Sequence, residues 1–207
     1  MTAFPYRLSR AGVIMTSSAC RNGTERCAEA LAQLHDPELV INLQGDALLT
    51  PPSFVEALIA RMESYPDALV ATPAMRLRTE EVAALRREEA AGRVGGTTVV
   101  TDSRGHALYF SKRLIPHLPS WATEAEPTPM KLHVGVYAYR PRALELYRDT
   151  PQSELEILEG LEQLRFVDAG MPIAVVEVET PPFALRELNN PEDLAPIEEV
   201  LAAAGLE

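Results

Sequence analysis

The sequence is poor in cysteine and has no long apolar run, and these two absences exclude several classes of protein. Its 207 residues include two cysteines, Cys20 and Cys27, too few for a disulfide framework or for a zinc site of their own. No segment approaches the roughly 18 apolar residues of a membrane-spanning helix, and residues 1–11 lack the apolar stretch of a secretory signal. We therefore expect no membrane insertion and a location in the reducing cytoplasm.

Positive charge is also scarce, because the chain has 19 Lys and Arg residues but 30 Asp and Glu residues, which gives a formal net charge of −11. A field of that sign opposes nucleic acid as a partner, since it offers no release of counterions from phosphates. It permits a small anionic substrate, provided that metal ions and local Arg or Lys residues reverse the field inside a cleft. The apolar fraction of 46% and the charged fraction of 24% are typical of a folded globular chain.

Apolar runs and helical periodicities alternate along the chain and predict an α/β fold. Predicted strands cover residues 13–16, 39–43, 68–74, 97–101, 107–110, 133–139 and 173–178. Predicted helices cover residues 24–34, 51–62, 79–91, 141–148, 153–166 and 191–204, and residues 120–130 are predicted to be a loop. The near-continuous apolar strands favour a mostly parallel sheet with helices on both faces. We expect one domain over residues 1–207, with a small antiparallel insertion at about residues 94–140.

A polar turn, Gln44-Gly45-Asp46, follows the strand predicted over residues 39–43. Ligands of α/β sheets gather at the carboxyl ends of strands. A Gly there lets the backbone turn closely around a phosphate, and an Asp beyond it can hold Mg²⁺. An ordinary strand-end turn, with Asp46 capping the next helix, explains the spacing at least as well.

The loop over residues 20–26 opens the first predicted helix and contains Gly23 among polar residues. Backbone N–H groups at the start of a helix, with Arg beside them, suit an anion or the edge of a nucleotide base. A solvated loop with Thr24 as the helix cap explains the same residues, so the spacing alone decides neither way.

The helix predicted over residues 153–166 has two contrasting faces. Apolar and polar side chains occupy opposite sides: Ile157, Leu161 and Leu164 on one, and Glu156, Glu159 and Gln163 on the other. A solvated acidic face is the simplest interpretation. Arg165 falls on the apolar side, where a guanidinium must reach solvent or find a carboxylate. The four histidines form no catalytic or metal-binding pattern.

Several segments of the chain form a combined pattern: VIMT from Val13, GTER from Gly23, VINLQGD from Val40, ALYFSK from Ala107, Ile115-Pro116, His133 through Gly135 to Tyr137 and Tyr139, LEQLR from Leu161 and NPEDL from Asn190. Taken together and in this order, they resemble one enzyme family, the 3-deoxy-manno-octulosonate (Kdo) cytidylyltransferases, or CMP-Kdo synthetases. They are collinear and span nearly everything from residue 12 onward. The resemblance implies a fold of the nucleotide-diphosphosugar-transferase type and a homodimer built partly from the hairpin in the insertion.

The resemblance also implies an activity, which is the Mg²⁺-dependent reaction of CTP with Kdo to give CMP-Kdo and pyrophosphate for lipopolysaccharide biosynthesis. On that basis Asp46 is the metal ligand, and Asp46 and Lys112 are the catalytic residues. The nucleotide-binding residues are expected to be Gly23, Thr24, Arg26, Gln44 and Gly45. The sugar-binding residues are expected to be His133, Tyr137, Glu156, Glu159 and Gln163. Asn189 is expected to be a second, weaker metal ligand.

Three features depart from the family pattern. Residues 1–11 lack the Arg- and Lys-rich loop that cradles the CTP phosphates, Ala47 replaces an acidic residue, and Asn189 replaces a metal-binding Asp. The first departure leads to the hypothesis that the chain is truncated at its N-terminus and that its reading frame starts upstream. Two alternatives to Kdo activation stay open: CMP activation of another acidic sugar, such as an amino-Kdo, or a non-catalytic remnant that acts as an interaction module.

Overall fold

The computed structural model describes residues 12–185, Leu188 and residues 191–203. Eight helices lie in this part of the chain: α1 (Gly23–Leu31), α2 (Pro52–Ser64), α3 (Thr79–Ala90), α4 (Ser120–Thr123), α5 (Pro141–Asp149), α6 (Glu154–Glu159), α7 (Leu164–Asp168) and α8 (Leu194–Ala203). Its seven strands are β1 (Val40–Leu43), β2 (Val70–Arg76), β3 (Thr98–Thr101), β4 (Ala107–Ser111), β5 (Lys131–His133), β6 (Val136–Tyr139) and β7 (Ile173–Glu177). None of the helices in the described residues is long and apolar enough to cross a membrane.

The strands form one sheet in the order β1-β6-β2-β5-β3-β4, and β7 pairs with β2. The ladder between β2 and β7 is parallel, whereas the other ladders formed by the described residues are antiparallel. The α/β class is confirmed, but the expectation of a mostly parallel sheet is wrong for these strands. Apolar runs reveal that a strand is buried, and they carry no information on the direction of its neighbour.

Helices cover both faces of the sheet, as predicted. Alternate residues of β6 point to opposite sides, because successive side chains of a strand alternate. Tyr139 joins the core cluster that contains Leu144 of α5, whereas Ala138 joins the cluster that contains Leu58 and Met62 of α2. The antiparallel hairpin of β3 and β4 is also confirmed.

Two predicted elements are broken by glycine. The helix predicted over residues 153–166 ends at Gly160, which adopts a left-handed conformation with φ of 61° and separates α6 from α7. The strand predicted over residues 133–139 divides into β5 and β6 around Gly135, where the Val136 N–H donates to the Val134 carbonyl at 2.7 Å. Both breaks lie beside the site described below.

The strand predicted over residues 13–16 is absent, since this segment has no regular structure and leaves Val13 and Met15 largely exposed. Side chains of α1 hold the segment against that helix: Arg26 Nη1 donates to the Thr16 hydroxyl at 3.0 Å, and Glu29 accepts from the Ser17 N–H at 2.7 Å. An apolar run becomes a strand only when a sheet edge pairs with it, and no described strand does so here.

Candidate active site

A cleft with a volume of about 1180 Å³ lies where β1 ends, between the start of α1 and the junction of α6 with α7. The β5–β6 junction and the segment before β3 form its other walls. It is lined by these residues from the sequence-predicted set: Gly23, Gln44, Lys112, His133, Tyr137, Glu156 and Gln163. The fold therefore gathers residues that are more than a hundred positions apart in the chain.

His133 is held at the end of β5 by the hydroxyl of Thr72 in the neighbouring strand β2. The His133 Nε2 lies 2.9 Å from the Thr72 Oγ1. The rings of Phe110 and Tyr137 flank the imidazole, with centroids 5.0 Å and 5.5 Å from its own. Burial lowers the pKa of His133 to about 3, so the ring is neutral at physiological pH.

Glu156 lines the cleft, but its carboxylate is committed to Arg165. Both side chains are buried, and Arg165 Nε and Nη2 each donate to a Glu156 oxygen at 2.7 Å. Gln152 donates to the same carboxylate at 3.1 Å, and the guanidinium lies 3.9 Å from the centroid of the Tyr147 ring. The expectation that Arg165 finds a carboxylate is confirmed, whereas the interpretation of Glu156 as part of a solvated face is wrong. Its sugar-binding role stays a prediction.

Glu159 lies outside the cleft lining and fastens α6 to β4. Its carboxylate accepts hydrogen bonds from the Ser111 hydroxyl at 2.7 Å, the Lys112 N–H at 3.0 Å and the Tyr109 hydroxyl at 3.3 Å. Although burial opposes the charge, these hydrogen bonds lower the pKa of Glu159. Glu159 thereby fixes the backbone from which the Lys112 side chain extends along the cleft.

Thr24 lies beneath the cleft, where it is completely buried. Its hydroxyl is 2.7 Å from the hydroxyl of Tyr139, and its N–H donates to Glu162 at 3.0 Å. The Glu162 carboxylate thus sits at the N-terminal end of α1, where the helix dipole favours negative charge, although burial raises its pKa. Glu162 lines the cleft and is missed by sequence reasoning, because its partners come from elements far away in the chain.

Three residues of the predicted nucleotide site, Gly23, Gly45 and Arg26, lie in different surroundings. A Cβ on Gly23 would lie 2.8 Å from Asn42 Nδ2, so this position accepts no side chain without rearrangement, whereas Gly45 lies in open space. Arg26 is outside the cleft lining, since its Nη1 donates to the Thr16 hydroxyl and, at 3.2 Å, to the Ser17 carbonyl.

Two buried amide nitrogens at the cleft lack a hydrogen-bond acceptor among the described residues: Asn42 Nδ2 and Gln163 Nε2. Gln163 lines the cleft and is 2% exposed. Asn42 lies against Gly23, which lines the same cleft. A buried donor without a partner costs about 1–3 kcal/mol, so the Gln163 nitrogen, whose residue lines the cleft, is a candidate for contact with a bound molecule.

Asp46 stands between Gln44 and Ala47, both of which line the cleft. Its carboxylate has no hydrogen bond or ion pair with any described residue. Its carbonyl accepts from the Leu188 N–H at 2.9 Å, which brings the chain that leads to α8 alongside. Asn189 lies outside the described residues. Among the residues that are described, no three His, Cys, Asp or Glu side chains form a metal-binding group, but Mg²⁺ commonly uses one or two carboxylates together with substrate phosphates.

Among the residues that the structure describes, three cationic side chains line the cleft in spite of the acidic composition: Arg21, Arg93 and Lys112. Arg21 pairs with Glu25 and donates to Gln152 at 2.6 Å, and Arg93 pairs with a Glu88 oxygen at 2.5 Å. Lys112 forms no salt bridge with a carboxylate in the described part of the chain. It is therefore the cation that is most available to an anionic ligand.

Comparisons with known proteins point to one enzyme type. A family model described as cytidylyltransferase matches residues 6–173. The chain is 38% identical over 193 residues to the 3-deoxy-manno-octulosonate cytidylyltransferase of Maricaulis maris (strain MCS10), which covers 93% of this chain and 73% of that relative. It is 37% identical over 192 residues to the enzyme of the same name from Chlamydia trachomatis serovar L2, with coverages of 91% and 68%.

A solved structure of a CMP:2-keto-3-deoxy-manno-octonic acid synthetase complexed with CTP is similar to this chain. The two share 32% of their residues and align with a TM-score of 0.76, over 92% of this chain and 72% of the other. This likeness confirms the predicted nucleotidyltransferase-like fold.

Proposed function

We propose, since the chain belongs to the 3-deoxy-manno-octulosonate cytidylyltransferase family, that it transfers CMP from CTP to Kdo and releases pyrophosphate, giving CMP-Kdo for lipopolysaccharide biosynthesis. The observation that carries this proposal is the cleft, in which Gln44, Lys112, His133 and Gln163 converge. Lys112, which has no salt bridge among the described residues, and the buried Gln163 Nε2, which has no acceptor there, suit substrates that carry negative charges and many hydroxyl groups.

In the proposed reaction the anomeric hydroxyl of Kdo attacks the α-phosphorus of CTP in line, and pyrophosphate leaves with the electrons of the broken P–O bond. Such a transfer depends on positioning and on neutralising phosphate charge. Lys112 supplies positive charge toward the anionic groups of the substrates, the Kdo carboxylate among them. Gln44 and the backbone at Gly23, at the start of α1, border the space for the nucleotide and the sugar.

We assign Asp46 as the carboxylate that would hold Mg²⁺, with CTP phosphate oxygens completing its coordination and Asn189 as a weaker second ligand. The assignment is supported by the unpaired Asp46 carboxylate beside two cleft residues. Bound there, Mg²⁺ would withdraw charge from the leaving pyrophosphate.

For the sugar, we propose that His133, Tyr137 and Gln163 contact Kdo directly. Gln163 Nε2 is a buried donor without an acceptor among the described residues, which suits a carboxylate or hydroxyl oxygen. Glu156 and Glu159 stabilise the site indirectly. Glu156 pairs with Arg165, and Glu159 accepts a hydrogen bond from the Lys112 N–H.

We further propose that the enzyme is a cytoplasmic homodimer that uses the β3–β4 hairpin. β4 is an end strand of the described sheet, and Leu108 on it is 58% exposed, a combination that natural proteins commonly cover with a partner. Cys20 and Cys27 are free thiols, which suits a reducing compartment.

The experiment that tests the function is a matrix of pyrophosphate-release assays with Mg²⁺. CTP is offered with Kdo, with an amino-Kdo and with another acidic sugar, and Kdo is offered with ATP, GTP and UTP. We expect release with CTP and Kdo above every other pair. Faster release with the amino-Kdo would reassign the sugar, and no release from well-folded protein with any pair would refute the activity.

A further inference from the structure

Thr72 is a completely buried residue of β2 whose hydroxyl contacts three polar atoms. Its Oγ1 lies 2.9 Å from His133 Nε2, 2.8 Å from the Val136 carbonyl oxygen and 3.3 Å from the Val134 carbonyl oxygen. A carbonyl oxygen only accepts, so in both of those contacts the hydroxyl is the donor. The single proton of the hydroxyl goes to the closer carbonyl, that of Val136.

Once its proton is directed at Val136, the Thr72 oxygen is an acceptor toward the imidazole. His133 Nε2 therefore carries a proton, and Nδ1 carries a lone pair. The opposite tautomer would turn the hydroxyl proton toward Nε2 and leave two oxygens 2.8 Å apart with no proton between them, which is unfavourable in a buried site. No described residue donates a hydrogen bond to Nδ1.

The surroundings of the ring keep it uncharged. Phe110 presents its ring at 77° to the imidazole plane, and Tyr137 flanks the imidazole at 46°. Burial lowers the pKa of His133 and so favours the neutral form of the ring. A ring with a fixed proton and no charge has one remaining capacity, which is to accept a hydrogen bond at Nδ1.

We infer that Thr72 is a positioning residue that fixes His133 as the Nε2–H tautomer, so that Nδ1 accepts a hydrogen bond from a hydroxyl group of the sugar. A sugar carboxylate is itself an acceptor and cannot bond to that nitrogen. The sugar part of this inference rests on the proposed function, whereas the tautomer does not. The two ends of the sugar then have different partners: a hydroxyl faces His133, and the carboxylate is left to donors such as Gln163 and Lys112.

The tautomer is read from long-range ¹H–¹⁵N correlation spectra of the ¹⁵N-labelled full chain near neutral pH, with the His133 signals assigned by their loss in His133→Gln. We expect a protonated Nε2 and an unprotonated Nδ1. Thr72→Val removes the hydroxyl at nearly constant shape and is expected to populate the Nδ1–H form, whereas Thr72→Ser retains the wild-type pattern. A wild-type spectrum with protonated Nδ1 overturns the inference even if Thr72→Val fails to fold, and so does a Thr72→Val spectrum identical to that of wild type.

Kinetics test the sugar contact. We expect Thr72→Val to raise the KM for Kdo about tenfold, equivalent to ~1.4 kcal/mol, with the KM for CTP unchanged and with Thr72→Ser close to wild type. Equal rises in both KM values would indicate a merely structural role and overturn the contact. If the wild-type chain fails to use Kdo at all, the proposed function falls and the sugar contact with it, while the spectrum still decides the tautomer.

Discussion

Arg165 and Glu156 form a bidentate ion pair in the interior of the protein, with two N–O distances of 2.7 Å. Arg165 also lies 3.3 Å from a carboxylate oxygen of Glu25 in α1. The guanidinium therefore joins α7 to α6 and to α1, which are walls of the same cleft. A buried pair of this kind adds little net stability relative to apolar packing, but removing one partner leaves an uncompensated charge.

Glu156→Gln should therefore unfold far more easily than wild type. We expect a loss of about 3 kcal/mol in the free energy of unfolding, because the buried Arg165 charge keeps only the Glu25 carboxylate, at 3.3 Å, as an ionic partner. Urea unfolding measures the loss, and Glu154→Gln, an exposed change on the same helix, is the matched control. Equal effects of the two substitutions would show that the pair does not anchor the cleft.

Lys112→Ala should reduce kcat by about 100-fold, because it removes the preorganised cation that is most available to the anionic substrates. Lys112→Arg keeps the charge and should stay within about tenfold of wild type. The neighbouring Arg113, which pairs with Glu89 at 3.3 Å on the surface, supplies the control Arg113→Ala. Unchanged turnover in Lys112→Ala would remove Lys112 from the proposed catalytic role.

The neutral, buried His133 should make the protein acid-sensitive. Its folded pKa of about 3 lies below the unfolded value of about 6.5, so the unfolded chain binds the proton first and stability falls as the pH drops from about 6.5 toward 3. The slope from this one residue is at most about 1.4 kcal/mol per pH unit. Urea unfolding at several pH values should show a shallower dependence in His133→Gln, and parallel curves for the two proteins would contradict the burial of a neutral ring.

Asp46→Asn should lower turnover by about 100-fold or more, since an amide is a much weaker ligand for Mg²⁺ than a carboxylate. The melting temperature should change little, because the Asp46 side chain has no partner among the described residues. Asp67→Asn, in an exposed loop, is the control. Wild-type kinetics in Asp46→Asn, with the same dependence on Mg²⁺, would refute the assignment.

Local signals in the sequence predict most of the helices and strands. Pro52 at the start of α2 fixes the beginning of that helix, and the turn between β3 and β4 follows from Asp102 and Gly105, whose φ is 81°. These elements depend on a few adjacent residues, so a pattern in one sequence suffices to predict them.

Elements that depend on distant partners could not be predicted in the same way. Helical periodicity continues through Gly160 and conceals the left-handed residue that ends α6. As a result the predicted faces hold only in part: Leu164 is buried as expected, but Ile157 is 63% exposed, whereas Glu156 and Gln163 are buried. The apolar run from Val13 likewise looks like a strand until its lack of a pairing edge is known.

The same limit applies to the site. Gln44, Lys112 and His133 are predicted from the family resemblance and do line the cleft, although their roles stay predictions. Thr72 and Glu162 are missed, because their importance arises from contacts with His133 and Thr24 across the sheet and across more than 60 positions of sequence. No local pattern marks a buried threonine as the partner of a histidine.

The most direct test of the central claim follows the phosphorus atoms of CTP by ³¹P NMR while the full chain acts on CTP and Kdo with Mg²⁺. We predict that the triphosphate signals give way to equal amounts of pyrophosphate and of one phosphodiester, the bond that joins CMP to the sugar. Triphosphate that persists in the presence of folded protein, or that decays to a diphosphate and inorganic phosphate, would contradict the transfer of CMP to Kdo.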